Sequence, residues 1–288
     1  MTIQGEKLAF ALERLWGWPT KLARKAFPNF GDVHIVPHAK VPDLRTLTNY
    51  QWGDPHGARN WFMNWTGVDS TGVKWTHTEW PTVEDLGEWT VPGSRTLEGR
   101  PAQDGKPGPA QLAGGGRTFA DYKRIILETE GWQLKDGLYV RTEQTWNVED
   151  RWLDPRPSGT SVPSDEQGKT FLDWMNEPLT DHTGKVIAPE LYFRAGVNCG
   201  IEEAQQWVND WICGGWNPQE EVTPLNCPKW YISERCANTI FALKLWTGFD
   251  KEKGACKDPI DCLKGLSKTG IEYLAPGMLG AVRRGRGY

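Results

Sequence analysis

Between residues 47 and 80 the chain lays down three candidate strands in quick succession, and this limits the available folds more than any other feature. The runs are 49–54, 61–68 and 72–80, and Asp69-Ser70-Thr71-Gly72 is a turn signal between the last two. Further along, strands alternate with helical patterns. Strands are expected near 146–153 and at 229–233, and helices at 118–130, 169–177, 201–212, 234–246 and 258–266. In the 201–212 helix, Ile201, Ala204, Val208, Trp211 and Ile212 share one face. Strands alternating with helices point to an α/β sheet enzyme.

Around this centre lie less regular stretches. Residues 1–26 read as a basic helical lead-in, with Leu8, Leu12 and Leu15 at helical spacing. The passage FPNFGDVHIVPHAKVPD is extended and Pro-punctuated, like a linker lying on something else. Residues 91–117 are rich in Gly and Pro and read as a loop, as do 155–169. The chain shows no internal repeat.

Composition removes several function classes. No apolar run approaches the ~20 residues needed to span a bilayer, and the N-terminus lacks the pattern of a secretory signal. The six Cys (199, 213, 227, 236, 256, 262) form no CxxC pair, which argues against a zinc site and favours reduced thiols. A net charge of -4 argues against a simple nucleic-acid coat protein but leaves open an enzyme whose carboxylates are balanced by cations. The 17 Trp are read as core and interface fillers rather than sugar platforms.

Three acids stand out by position. Asp54 ends the first strand, Asp154 ends the strand in EDRWLDPR, and Asp258 opens the last helix in ACKDPIDCLKGL. Pro follows both strand acids, so the chain turns away and leaves each carboxylate at the rim, where α/β sheets place ligands. Asp261 lies three residues after Asp258 on the same helical face. Carboxylates converging in this way repel one another unless cations sit between them. Mg²⁺ favours such all-oxygen coordination. Two ions roughly 4 Å apart can activate a water and stabilise the leaving oxygen of a phosphodiester. Each acid alone also has an ordinary reading: Asp-Pro initiates turns, and Asp258 before Pro259 makes a good helix N-cap.

Other motifs carry less. Gly168-Lys169-Thr170 lacks the upstream Gly of a phosphate-binding loop, since Pro163 stands there, so no ATP site is expected. Gly114-Gly115-Gly116-Arg117 has no following Lys-Ser or Lys-Thr. His34, His38, His56, His77 and His182 show no ligand spacing, although His56 lies two residues from Asp54. No nucleophile elbow is present. Arg283, Arg284 and Arg286 form a short basic tail able to contact DNA phosphates.

In order along the chain come FPNFGDVHIV, NYQWGDPHGARNWFMNW with EWP, RWLDPR, GIEEAQQWVNDWI, NCPKWYISERCANTIFALKLWTG and GACKDPIDCLKGL. Together they resemble the C-terminal nuclease half of the large terminase subunit of tailed bacteriophages, from about Phe27 to about Leu266. The resemblance implies an RNase H-like fold, a mixed central sheet flanked by helices. It also implies a metal-dependent endonuclease that cuts concatemeric double-stranded DNA during packaging. Asp54, Asp154 and Asp258 would hold two Mg²⁺ or Mn²⁺ ions, with Asp261 a neighbour able to substitute. Arg59 or Lys257 would neutralise phosphate.

The same resemblance divides the chain into a lead-in and linker (1–45), similar to the end of an ATPase domain, a nuclease domain (46–270) and a basic tail (271–288). Translocation would then need a partner supplying the ATPase, alongside a small terminase subunit and a portal, in the cytoplasm of the host. Two other readings stay open. One is a non-catalytic packaging subunit docked on an ATPase or portal; the other is a different RNase H-like nuclease, such as a junction resolvase.

Overall fold

The computed structural model describes residues 25–56, 60–82, 112–114, 117–155, 168–197, 200–248 and 257–275. Most of the lead-in helix, most of the loops expected at 91–117 and 155–169, and most of the basic tail lie outside the described residues. So do Arg59, Arg283, Arg284, Cys199 and Cys256.

Among the described residues, a 3-10 turn (Asp32–His34) leads into β1 (Ile35–Val36), followed by the long strands β2 (Thr48–Asp54), β3 (Phe62–Val68) and β4 (Lys74–Trp80). A short hairpin, β5 (Leu112–Gly114) and β6 (Arg117–Thr118), leads into helix α1 (Phe119–Thr129). The hairpin β7 (Gln133–Lys135) and β8 (Leu138–Val140) precedes β9 (Val148–Leu153). Helix α2 (Phe171–Asn176), strands β10 (Leu179–Thr180), β11 (Val186–Ala188) and β12 (Phe193–Ala195), and helix α3 (Ile201–Cys213) follow. The last elements among the described residues are β13 (Trp230–Ser233), α4 (Ala237–Leu245) and α5 (Asp258–Thr269).

Seven strands form one sheet in the order β1-β13-β4-β3-β2-β9-β12. β2, β3 and β4 are an antiparallel meander. β9 adds parallel to β2, β12 adds parallel to β9, and β13 and β1 extend the other edge in parallel. The meander with two parallel strands added beside its first strand is the RNase H-like mixed sheet.

Both faces of this sheet are covered, which is why β2 and β3 are buried almost throughout. Alternation sends Tyr50, Trp52 and Phe62 to one face, where they meet α3, α4 and α5 through Val208, Leu243, Leu263 and Leu266. Met63, Trp65 and Leu153 point to the other face, against Tyr122 and Ile126 of α1 and Met175 of α2. The large Trp count is spent here: Trp52, Trp61, Trp65, Trp230 and Trp246 are fully buried. His34 and His77 are core residues. Burial lowers the pKa of both, that of His77 to about 3.

Polar groups inside the sheet are paired, as burial requires. Arg151 on β9 donates to the Glu130 carboxylate (2.6 Å from Nη2 to Oε2) and to Gln51, and Trp65 Nε1 donates to the same carboxylate at 3.0 Å. Glu79, on β4, reaches the first turn of α4. It accepts from Asn238 N (2.7 Å), Thr239 N (2.9 Å) and Thr239 Oγ1 (2.7 Å), although burial still pushes its pKa up to about 7. Gly168-Lys169-Thr170 begins α2: Thr170 Oγ1 accepts from Asp173 N at 3.1 Å in a capping box, and Lys169 is paired with Glu177. The Pro-punctuated passage after Phe27 supplies core side chains, Phe27 and Phe30, and its strand β1 pairs with β13. The four described Cys are free thiols, and no described helix is long and apolar enough to cross a membrane.

One contact sets the position of α5. A methyl group at Gly265 would lie 2.2 Å from Trp52 Cε2, so only glycine lets the helix sit this low on the sheet. Gly265→Ala is therefore expected to cost about 1–3 kcal/mol from overpacking. Gly31→Ala, where nothing lies within 4 Å, should stay within about 0.5 kcal/mol of wild type. Urea denaturation of the two variants checks the contrast.

Candidate functional site

The carboxylates singled out by position come from three elements that meet at one end of the sheet. β2 and β9 are parallel neighbours, so Asp54 and Asp154 leave the sheet at the same edge; Asp154 N donates to Gly53 O at 2.9 Å. In β3, Phe62 pairs with Asp54. Cys262 Sγ, in the second turn of α5, donates to Phe62 O at 3.5 Å, which brings the start of α5 over this edge. Asp258, at the first position of α5, is thereby placed beside the two strand acids. Asp154 and Asp258 are buried and Asp54 is half-buried.

Electrostatics show how crowded this edge is. The Asp54 pKa is raised well above the usual carboxylate range, first by burial and then by Asp258, Asp261 and Asp154; Lys257 opposes the shift. The Cys262 thiol is pushed up by burial and by the same four acids. Among the described residues, no three His, Cys, Asp or Glu side chains are gathered closely enough to hold an ion as they stand. The donor chemistry, all carboxylate oxygen, nevertheless suits Mg²⁺ or Mn²⁺.

Asp261 differs from the others. Its two oxygens are engaged by lysines, Lys264 Nζ at 2.9 Å and Lys257 Nζ at 3.3 Å. Lys264 is buried and lies 4.6 Å from the Trp246 ring centroid. Asp261 is thus an ion-pair anchor within α5. Helical spacing alone, i to i+4 and i to i+3, made these two pairs available. The N-cap expected at Asp258 falls one residue earlier, on Lys257, whose side chain makes no capping bond. His56 is described beside Asp54 in sequence, and Arg59, Arg283 and Arg284 lie outside the described residues.

No family model and no curated protein matches this chain. Two crystal forms of the large terminase from the thermophilic bacteriophage D6E are similar to it, with TM-scores of 0.45 and 0.44 and 11% identity. The alignments cover 85% and 86% of this chain but 44% and 45% of the terminase chain, so this chain spans less than half of that protein's length.

The raised Asp54 pKa has a sign that can be tested without any ion. A carboxyl whose folded pKa lies above its unfolded value favours folding below the unfolded value and loses that contribution as pH rises through the folded one. In a chelating buffer at pH 7.5, Asp54→Asn should therefore be more stable than wild type, with the difference closing by about pH 4. Denaturant titrations at several pH values measure it.

Proposed function

We propose that this chain is a metal-dependent DNA endonuclease of phage genome packaging. One observation carries the reading: carboxylates from two parallel strand ends and a helix start are brought to a single edge. Asp54, Asp154 and Asp258 would hold the ions, and the ordered motifs of the sequence favour the packaging role. Two Mg²⁺ or Mn²⁺ ions would supply the Lewis acidity that activates water and stabilises the leaving oxygen of a phosphodiester.

The chain's own residues do the positioning. Pro55 and Pro155 follow the strand acids and Pro259 follows Asp258, and proline fixes the backbone that leads away from each. Trp52 and Gly265 hold α5 at the height that keeps Asp258 beside Asp54. Asp261 keeps Lys257 and Lys264 on the helix. Ions entering the cluster would draw the carboxylates inward, which like charges resist in their absence. Double-stranded DNA is the proposed substrate, and an ATPase subunit, a small terminase subunit and a portal are the proposed partners.

The test is incubation with supercoiled plasmid and Mn²⁺ or Mg²⁺, beside linear duplex, four-way junction and RNA:DNA hybrid. Wild type is expected to nick or linearise plasmid and to stop on chelation. Asp54→Asn, Asp154→Asn and Asp258→Asn should each be slower by at least about a hundredfold, more than loss of an outer-shell partner costs. Asp261→Asn should retain more activity than these three. A folded wild-type chain inert with both metals would favour a docking subunit, and preference for the junction or hybrid would move the assignment to another RNase H-like nuclease.

A further inference from the structure

The two glycine stretches that fail as nucleotide loops share a pattern. Gly116-Arg117-Thr118-Phe119-Ala120-Asp121-Tyr122 and Gly168-Lys169-Thr170-Phe171-Leu172-Asp173-Trp174 both read Gly, basic, Thr, Phe, any residue, Asp, aromatic. From the Thr onward both fold alike. Thr118 and Thr170 are the N-caps of α1 and α2, and each closes a capping box with the Asp three residues on. The two helix ends are therefore satisfied from within. What remains for an outside partner is the basic side chain directly ahead of each cap, half-buried in both cases.

A cation at this end of a helix is disfavoured by the dipole, yet both are held in place. Arg117 Cζ lies 5.1 Å from the Trp80 ring centroid, and Lys169 Nζ lies 4.7 Å from that of Trp174. Phe119 and Phe171 meet edge to face at 5.2 Å, and both pack on Trp61, at 6.1 and 6.0 Å. The two helix starts are thus one block. Strand register places it. Trp61 directly precedes Phe62, which pairs with Asp54; Trp80 pairs with Met63, which pairs with Gly53. The block stands at the end of the sheet where the strand acids leave it, on the face opposite α5. Lys169 is also paired with Glu177, but the two side chains are 31% and 37% exposed, and so open an ion pair exchanges readily for a stronger anion.

Resting on the reading of the chain as a DNA nuclease, we propose that Arg117 and Lys169 form a two-point phosphate clamp that holds the DNA backbone across the acid end of the sheet. The tryptophans order each cation before DNA arrives, so less side-chain freedom is lost on binding. Contacts to phosphate position the duplex and carry no sequence preference.

Binding of a fluorescein-labelled duplex to the purified full chain, followed by anisotropy in EDTA over a series of salt concentrations, tests the clamp without metal or cutting. Each phosphate contact adds about 0.9 to the slope of log affinity against log salt. Arg117→Gln combined with Lys169→Gln should lower the wild-type slope by about 2, and each single change by about 1. Arg117→Lys combined with Lys169→Arg should keep it. The single variants decide the matter where the double variant fails to fold. An unchanged slope in the Gln variants overturns the proposal, as does absence of duplex binding by wild type. Plasmid cutting with Mn²⁺, measured alongside, separates the clamp from the activity. A lowered slope with no cutting by wild type retains the clamp and removes the nuclease, whereas cutting with an unchanged slope retains the nuclease and removes the clamp.

Discussion

The indole of Trp52 is the piece on which the rest of this architecture is set. It lies on the face of β2 that carries α5, and at two points on its ring the neighbour is a glycine. A methyl group at Gly265 would come within 2.2 Å of one edge of it, and one at Gly196 within 2.2 Å of another. Gly196 N also donates to Leu153 O at 2.7 Å, at the end of β9. A single large side chain therefore fixes two distances, from sheet to helix and from β9 to the chain beyond β12. Both decide where Asp54, Asp154 and Asp258 end up.

From that packing follows the electrostatic state of the edge. Burial and three neighbouring acids raise the Asp54 pKa, so the close approach that packing stabilises is opposed by repulsion. Ion pairs relieve part of it: Asp261 is bracketed by Lys257 and Lys264. Among the described residues, the carboxylates stand near one another without closing around a point.

Much of this was legible in the sequence where the signal is local. The long strands and helices follow from periodicity, and Thr118 and Thr170 mark the starts of α1 and α2 through Thr-x-x-Asp capping boxes. Asp-Pro at strand ends pointed to Asp54 and Asp154. What stayed hidden depends on tertiary partners. β1 and β12 are two and three residues long and exist because Ile232 and Arg151 stand opposite Ile35 and Phe193. Glu79 caps a helix 159 residues away. The role of Gly265 needs Trp52 beneath it.

The central claim is that the edge formed by β2, β9 and α5 takes divalent ions. Crystals soaked in Mn²⁺ and measured at a wavelength where manganese scatters anomalously would test it most directly. The account predicts anomalous peaks bounded by the carboxylates of Asp54, Asp154 and Asp258. Well-ordered carboxylates with no manganese between them, or manganese bound only elsewhere on the chain, would contradict it.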